Sequence, residues 1–155
     1  ASARELLEYA ASEDLEVLYE ELFTRILDAL SKQKPVPLEG RPKQLSWAQP
    51  LREQALGQLR AVWRNFVVSP ELVKSNPDLR FSLLTAAWNM RLEQYAAVWI
   101  AADFHITRGN VTELVDRFAA NGKRLHVEGR TAPAISDADR ELVRRLAGNR
   151  QPQFR

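Results

Sequence analysis

The stretch that most constrains the fold of this chain is residues 97–116, with the sequence AVWIAADFHITRGNVTELVD. Its apolar and small residues recur at spacings that suit two short helices, and they are Ile100, Ala101, Phe104, Ile106, Val111 and Leu114. The small side chain of Ala101 would let the two helices cross closely, while the flanking apolar residues fill the wedge between them. The pattern therefore predicts two helices joined by a sharp turn at His105.

Two helices in this arrangement are typical of a helix-turn-helix, whose second helix presents its first turn to base edges in the major groove of DNA. Thr107, Arg108, Gly109 and Asn110 stand at that first turn. His105 departs from the usual pattern, because this turn position generally has glycine and few other residues adopt left-handed backbone. An ordinary corner between two helices of a bundle would use the same residue types, so both interpretations stay open.

The rest of the sequence predicts an all-α, multi-helix bundle, because apolar residues recur at helical spacing between helix-starting and helix-ending signals. An amphipathic helix is predicted over residues 12–30 from the stripe Leu15, Leu18, Leu22, Ile26 and Leu30. Further helices are predicted from Pro50 to about Val68, after Pro70, after Pro77, over residues 110–121 and from Ser136 to Gly148. A small β-hairpin is expected near residues 123–135, where polar and apolar residues alternate.

Residues 78–104 contain neither Gly nor Pro and are apolar on most of their circumference, which is typical of a buried central helix. The simplest prediction is one unbroken helix. A three-helix DNA-binding unit would instead need a break near Asn89 to Gln94, and this is the arrangement we expect.

With 155 residues the chain can form one domain with a sizeable core, or a small domain with an additional arm. We expect an acidic helical arm at residues 1–34, a Pro-rich basic linker without helix at residues 35–50, a helical core at residues 51–148 and a flexible tail at residues 149–155. The linker prediction rests on Pro35, Pro37, Gly40, Pro42 and Pro50. The apolar stripe of the arm either packs on the core or pairs with a second subunit.

The net charge of +2 conceals a gradient along the chain. Residues 1–30 contain two basic and eight acidic residues, a net charge of −6, whereas residues 31–155 contain 20 basic and 12 acidic residues, a net charge of +8. A basic body suits a polyanionic partner, and an acidic arm suits a protein partner. The acidic residues also fit a helix face that is merely solvated.

The composition disfavours several classes of protein. The chain has no Cys, which excludes a disulfide framework, a thiolate nucleophile and a Cys-based zinc site. Its first residues lack the basic and apolar segments of a secretory signal, and no apolar run approaches the length of a membrane span. We therefore expect a cytoplasmic protein that does not enter the membrane.

No residue pattern indicates an enzyme. The sequence has no phosphate-binding Gly loop and no nucleophile motif. His105 lies two residues from Asp103 and His126 two residues from Glu128, but neither pair has a third ligand at a suitable spacing. We expect no catalytic residues, no metal and no cofactor.

The segments ITRGNVTELVDRF, NGKR and SDADRELVRRL, in this order, resemble the second half of a winged helix-turn-helix regulator of the MarR type. The resemblance covers about residues 97–147, a third of the chain. It implies a recognition helix, a basic two-stranded wing, and then a helix that returns to the interface of a homodimer. The implied function is a DNA-binding regulator of transcription, or one of plasmid or phage type.

Within this resemblance, side-chain chemistry suggests the contacts with double-stranded DNA. Arg108 would bond bidentately to guanine, and Asn110 would contact adenine unless it caps its own helix. Thr107 or Thr112 would touch a thymine methyl group or a phosphate. The remaining contacts, to the phosphate backbone or the minor groove, would come from Lys123, Arg124 and Arg130.

The alternative function is a helical adaptor or assembly subunit that binds another protein and no nucleic acid. The two functions differ in what they require at the surface. A DNA-binding protein needs Arg108, Asn110, Thr112, Lys123 and Arg130 exposed on one basic face. An adaptor needs an exposed apolar surface instead.

Overall fold

Helix α4 (Pro77–Leu92) forms the centre of the structure, a computed structural model that describes residues 5–6, 15–120 and 135–148. The other helices in these ranges are α1 (Leu15–Lys32), α2 (Pro42–Val67), α3 (Pro70–Ser75), α5 (Ala96–Ala101), α6 (Asp103–Thr107), α7 (Val111–Ala120) and α8 (Asp137–Gly148). The described ranges contain no strand beyond an isolated bridge between Glu39 and Tyr95. The prediction of an all-α fold is confirmed.

Helix α4 is enclosed by its neighbours on nearly every side. Its residues from Leu79 to Arg91 are buried except Phe81, which is half-buried. The helix packs mainly against α7 and also against α1, while α2 packs against α5 and α8. The Asn89 side-chain amide donates a 2.6 Å hydrogen bond to the Phe118 carbonyl, which ties α4 to α7. The apolar circumference of this segment correctly predicted a buried central helix.

Helix α1 packs its apolar stripe into the core of the same chain. Phe23, Ile26, Leu27 and Leu30 are all buried, and the Phe23 ring meets the Phe66 ring edge to face at a centroid distance of 5.9 Å. Burial of each such side chain contributes about 1.5–3 kcal/mol. The second half of the stripe therefore packs on the core of its own chain, which is one of the two possibilities that the sequence left open.

Helix α2 begins earlier than its proline content predicts. We expected residues 35–50 to contain no helix and Pro50 to begin the next one, but α2 begins at Pro42 and continues through Pro50. The backbone N–H of Arg41 donates to Gln44 Oε1 at 3.0 Å, which closes the first turn. Pro50 lies on the exposed side, where water can satisfy the Ser46 carbonyl that loses its helical donor. The extra two turns bury Ala48 in the core.

The segment before α2 is bonded to the core. Its Val36 N–H donates to the Arg91 carbonyl at 2.9 Å, and the Arg52 guanidinium donates to the Val36 carbonyl at 2.5 Å. Burial lowers the pKa of Arg52, although the charge of nearby Glu53 opposes this effect. Residues 33–41 are therefore a docked connector.

The same segment explains where the helix over residues 78–104 is interrupted. Helix α4 ends at Leu92, and Glu93 to Tyr95 run extended beside Glu39. The Glu39 N–H donates to the Gln94 carbonyl at 2.6 Å, and the Ala96 N–H donates to the Glu39 carbonyl at 2.9 Å. The predicted break is confirmed. The hydrogen bonds to Glu39 replace the helical hydrogen bonds that residues 93–96 do not form.

Several helix starts follow the sequence signals. The Ser69 hydroxyl accepts from the Leu72 N–H at 3.4 Å, and the Ser136 hydroxyl accepts from the Asp139 N–H at 3.1 Å. Pro70 and Pro77 are the first residues of α3 and α4, as predicted. The expected start at residues 12–14, the tail at residues 149–155 and all but Ile135 of the hairpin expected near residues 123–135 lie outside the described residues.

Membrane insertion can also be addressed for the described helices. None of them combines the length and the apolar character that crossing a bilayer requires.

The position of Pro50 inside α2 makes a prediction about stability. Pro50→Ala restores a backbone donor to the Ser46 carbonyl, so we expect the free energy of unfolding in urea to increase by about 1–3 kcal/mol. Pro77→Ala is the matched control, because a proline at the first helical position lacks no helical bond, and it should give no gain. Equal effects of the two substitutions would contradict a helix that continues through Pro50.

Candidate functional site

The chain turns three residues later than predicted in the candidate helix-turn-helix. His105 lies within α6, and the turn before α7 consists of Arg108, Gly109 and Asn110. Gly109 has a φ of 70°, in the left-handed region, where glycine alone is unstrained. The Asn110 N–H closes the turn on the His105 carbonyl at 2.9 Å. The predicted turn at His105 is wrong because the glycine needed for a sharp turn stands at position 109.

The packing register of α5 and α6 also differs from the prediction. We expected Ala101 and Phe104 to face the second helix, but both are exposed, Phe104 by 59%. The buried residues of this segment are Ala96, Trp99, Ala102 and Ile106. Two adjacent alanines make Ala101 and Ala102 equivalent in a sequence pattern, and the large Trp99 side chain decides between them by entering the core.

Helix α7 is enclosed by the bundle. The inward residues Leu114, Val115 and Phe118 are buried, as predicted. None of the side chains from Val111 to Ala119 is exposed, and the half-buried ones are Glu113, Asp116 and Arg117. The Asp116 carboxylate forms a salt bridge with Arg140 of α8. The face that α7 would present to DNA as a recognition helix is therefore neither exposed nor strongly positive.

The predicted DNA contacts divide into three groups. Thr107, Arg108 and Asn110 are exposed together at the turn. Thr112 is buried, with 6% of its surface exposed, and its hydroxyl donates to Asn110 Oδ1 at 3.0 Å. The remaining candidates, Lys123, Arg124 and Arg130, lie outside the described residues. The structure therefore brings three of the seven candidates to one accessible place.

Arg108 and Phe104 form a stacked pair next to this turn. The Arg108 guanidinium carbon lies 4.2 Å from the centroid of the Phe104 ring, a cation–π geometry. The Thr107 hydroxyl donates to the Asp103 carbonyl at 2.9 Å, a bond within its own helix. Arg108 has no ion pair within the described part of the chain, so its charge faces solvent.

Exposed apolar residues continue from Phe104 along α5 and onto α2. Tyr95, Val98, Ala101 and Phe104 are spaced three apart and all exposed. The Trp47 indole N–H donates to Asp103 Oδ2 at 3.3 Å, which places this 51% exposed ring beside α6. We call Trp47, Tyr95, Val98 and Phe104 the aromatic surface.

No protein-family model, no curated protein and no solved structure matches this chain.

The sequence pattern did not reveal the aromatic surface. Trp47 stands in the segment that its prolines predict to be a linker, while the other three Trp side chains, Trp63, Trp88 and Trp99, are buried. One feature of the sequence does indicate an exposed apolar surface. In residues 95–106 two apolar rows run at a spacing of three to four, and only one row can face the core.

Metal binding receives no support from the described part of the chain, where no three His, Asp or Glu side chains come together as ligands. The Asp103 carboxylate accepts from Trp47. The His105 ring packs edge to face on Phe104 at 5.4 Å.

The turn at residue 109 can be tested with two glycines. A Cβ at Gly109 or at Gly57, inside α2, would meet no atom within 4 Å, so only the backbone conformation distinguishes them. Gly109→Ala should lower the free energy of unfolding by about 1–2 kcal/mol, because its φ is positive. Gly57→Ala should raise it by about 0.5–1 kcal/mol. Urea unfolding of both variants measures this, and stabilisation by Gly109→Ala would contradict the turn.

Proposed function

We propose that this chain is a helical adaptor that binds another protein through the aromatic surface. The observation that carries the proposal is the distribution of exposed large apolar side chains. Five such side chains are exposed in the described residues, and four of them are Trp47, Tyr95, Val98 and Phe104, while the fifth, Val68, follows α2. Exposed apolar residues that cluster in this way mark interaction surfaces.

The composition of the aromatic surface suits protein recognition. Trp, Tyr and Arg dominate the residues that contribute most to protein–protein affinity. Two contacts hold these side chains before a partner arrives, namely the Trp47 bond to Asp103 and the stacking of Arg108 on Phe104. Ordering these side chains in advance lowers the entropy that binding would cost.

The charges beside the aromatic surface indicate the chemistry of the partner. Arg108 is exposed at one end of α6, and Lys43 is exposed one helical turn before Trp47. Neither has an ion pair within the described ranges. The partner we propose is an amphipathic segment whose apolar side chains cover the rings and whose carboxylates pair with these two cations.

A peptide selection tests this function without a known partner. A displayed library of random peptides is selected on the immobilised chain, and the enriched peptides are measured by fluorescence anisotropy. We expect peptides with apolar and acidic residues, whose affinity falls at least tenfold with Trp47→Ala or Phe104→Ala. Val68→Ala is the matched control and should leave the affinity unchanged. Selection of no peptide, or equal losses in all three variants, would contradict the proposal.

A second candidate function is double-stranded DNA binding by a homodimeric regulator. The observation that favours it is the exposure of Thr107, Arg108, Gly109 and Asn110 in one turn. With α7 enclosed, the turn itself would approach the duplex, and Arg108 and Asn110 would supply the contacts. Thr112 would take no part, because it is buried.

A mobility-shift titration on random duplex DNA at two salt concentrations tests this candidate. DNA binding predicts a retarded complex that weakens as salt rises, with affinity lowered severalfold by Asn110→Ala. The adaptor predicts no complex at low salt, and peptide binding that Asn110→Ala leaves intact. The two candidates therefore differ in both readouts.

A further inference from the structure

A cleft between α1 and α2 collects arginine side chains away from the aromatic surface. Its volume is about 330 Å³, and its walls include Thr24 and Asp28 of α1 and Arg60, Trp63 and Arg64 of α2. Arg60 and Arg64 are one helical turn apart, so both guanidinium groups extend from the same side of α2. Neither has an ion pair in the part of the chain that the structure describes.

A third arginine lies behind the cleft wall. The Arg91 guanidinium carbon is 5.8 Å from the centroid of the Trp63 ring, and only 2% of Arg91 is exposed. Burial, together with the charge of Arg60, lowers the pKa of Arg91 to about 10. Among the described residues that line the cleft, the one acid is Asp28, and it forms a 3.3 Å salt bridge with Lys32. The described lining thus has an excess of positive charge.

The hydrogen-bonding capacity of these arginines is also incomplete. Within the described ranges, the buried Nε–H groups of Arg60 and Arg91 have no hydrogen-bond acceptor. A buried donor without an acceptor is unfavourable, and buried like charges add to the cost. The Arg91 guanidinium reaches one acceptor, the Ala87 carbonyl, at 3.2 Å. An anion in the cleft would lower the electrostatic cost of all three guanidinium groups.

We propose that this cleft binds the phosphate group of a small phosphate monoester. Arg60 and Arg64 would bond to its oxygens, since a guanidinium matches phosphate geometry with two parallel donors. The exposed Thr24 on the opposite wall would add a hydroxyl donor. A dianion fits better than a single carboxylate, because two unpaired arginines line the cleft and a third is buried behind it.

Isothermal titration calorimetry of the whole chain with inorganic phosphate tests the site. We expect saturable binding of one phosphate, weakened at least tenfold by Arg64→Ala. Arg145→Ala, at an exposed arginine on α8, removes the same charge elsewhere and should leave the affinity unchanged. Arg60→Lys keeps the charge but loses the paired donors, so it should also weaken binding. Acetate should bind at least tenfold more weakly than phosphate.

A second measurement locates the anion. In ¹H–¹⁵N NMR spectra, phosphate should shift the Nε–H signals of Arg60 and Arg64 and leave that of Arg145 in place. Three results would overturn the proposal, namely no saturable binding, equal losses in Arg64→Ala and Arg145→Ala, or shifts confined to arginines outside the cleft.

Discussion

The arrangement of the second half of this protein depends on the burial of Trp99. Its ring stacks on Phe118 of α7 with a centroid distance of 4.8 Å and an angle of 27°, and its indole N–H donates to the Glu93 carbonyl at 3.4 Å. One side chain therefore joins α5, α7 and the extended residues after α4. Since a helix that buries one row must turn the opposite row outward, the burial of Trp99 also determines which residues face solvent.

The burial of Trp99 has opposite effects on the two parts of the candidate helix-turn-helix. Packing encloses α7, so the helix that would enter DNA has no exposed side chain from Val111 to Ala119. The same packing leaves Val98 exposed on α5 and Phe104 exposed on α6, the helix that Trp47 contacts through Asp103. Stability would favour smaller or more polar residues at these exposed positions, because apolar side chains in water contribute no burial energy. In the adaptor that we propose, a protein partner would cover these side chains.

Much of the fold could be predicted from local signals. Pro70, Pro77, Ser69 and Ser136 act through their own backbone geometry and hydrogen bonds, so the helix starts at these residues were predictable. Local signals could not decide between a break after Leu92 and an unbroken helix. The break depends on hydrogen bonds with Glu39, more than fifty residues earlier in the chain.

The candidate site was harder to predict because tertiary packing decides it. Pro50 stands inside α2, and the two turns before it bury Ala48, a tertiary contact that helix propensity alone does not include. Ala101 and Ala102 are indistinguishable by size, so the register of α5 had to come from the packing of Trp99. The motif pattern predicts a turn at His105, whereas the positive φ of Gly109 is the physical feature that produces the turn. Arg60 and Arg64 are one helical turn apart on α2, but Arg91 comes from α4, so tertiary packing alone brings the three arginines together.

The central feature is the orientation of α5 and α6, which buries Trp99 and leaves Phe104, like Trp47 of α2, exposed. NMR spectra recorded with a soluble paramagnetic agent measure this directly, because the agent broadens the signals of protons near the surface. The account predicts strong broadening of the Trp47 indole and Phe104 ring signals and little broadening of the Trp99 indole signal. Strong broadening of Trp99 together with protection of Phe104 would contradict it.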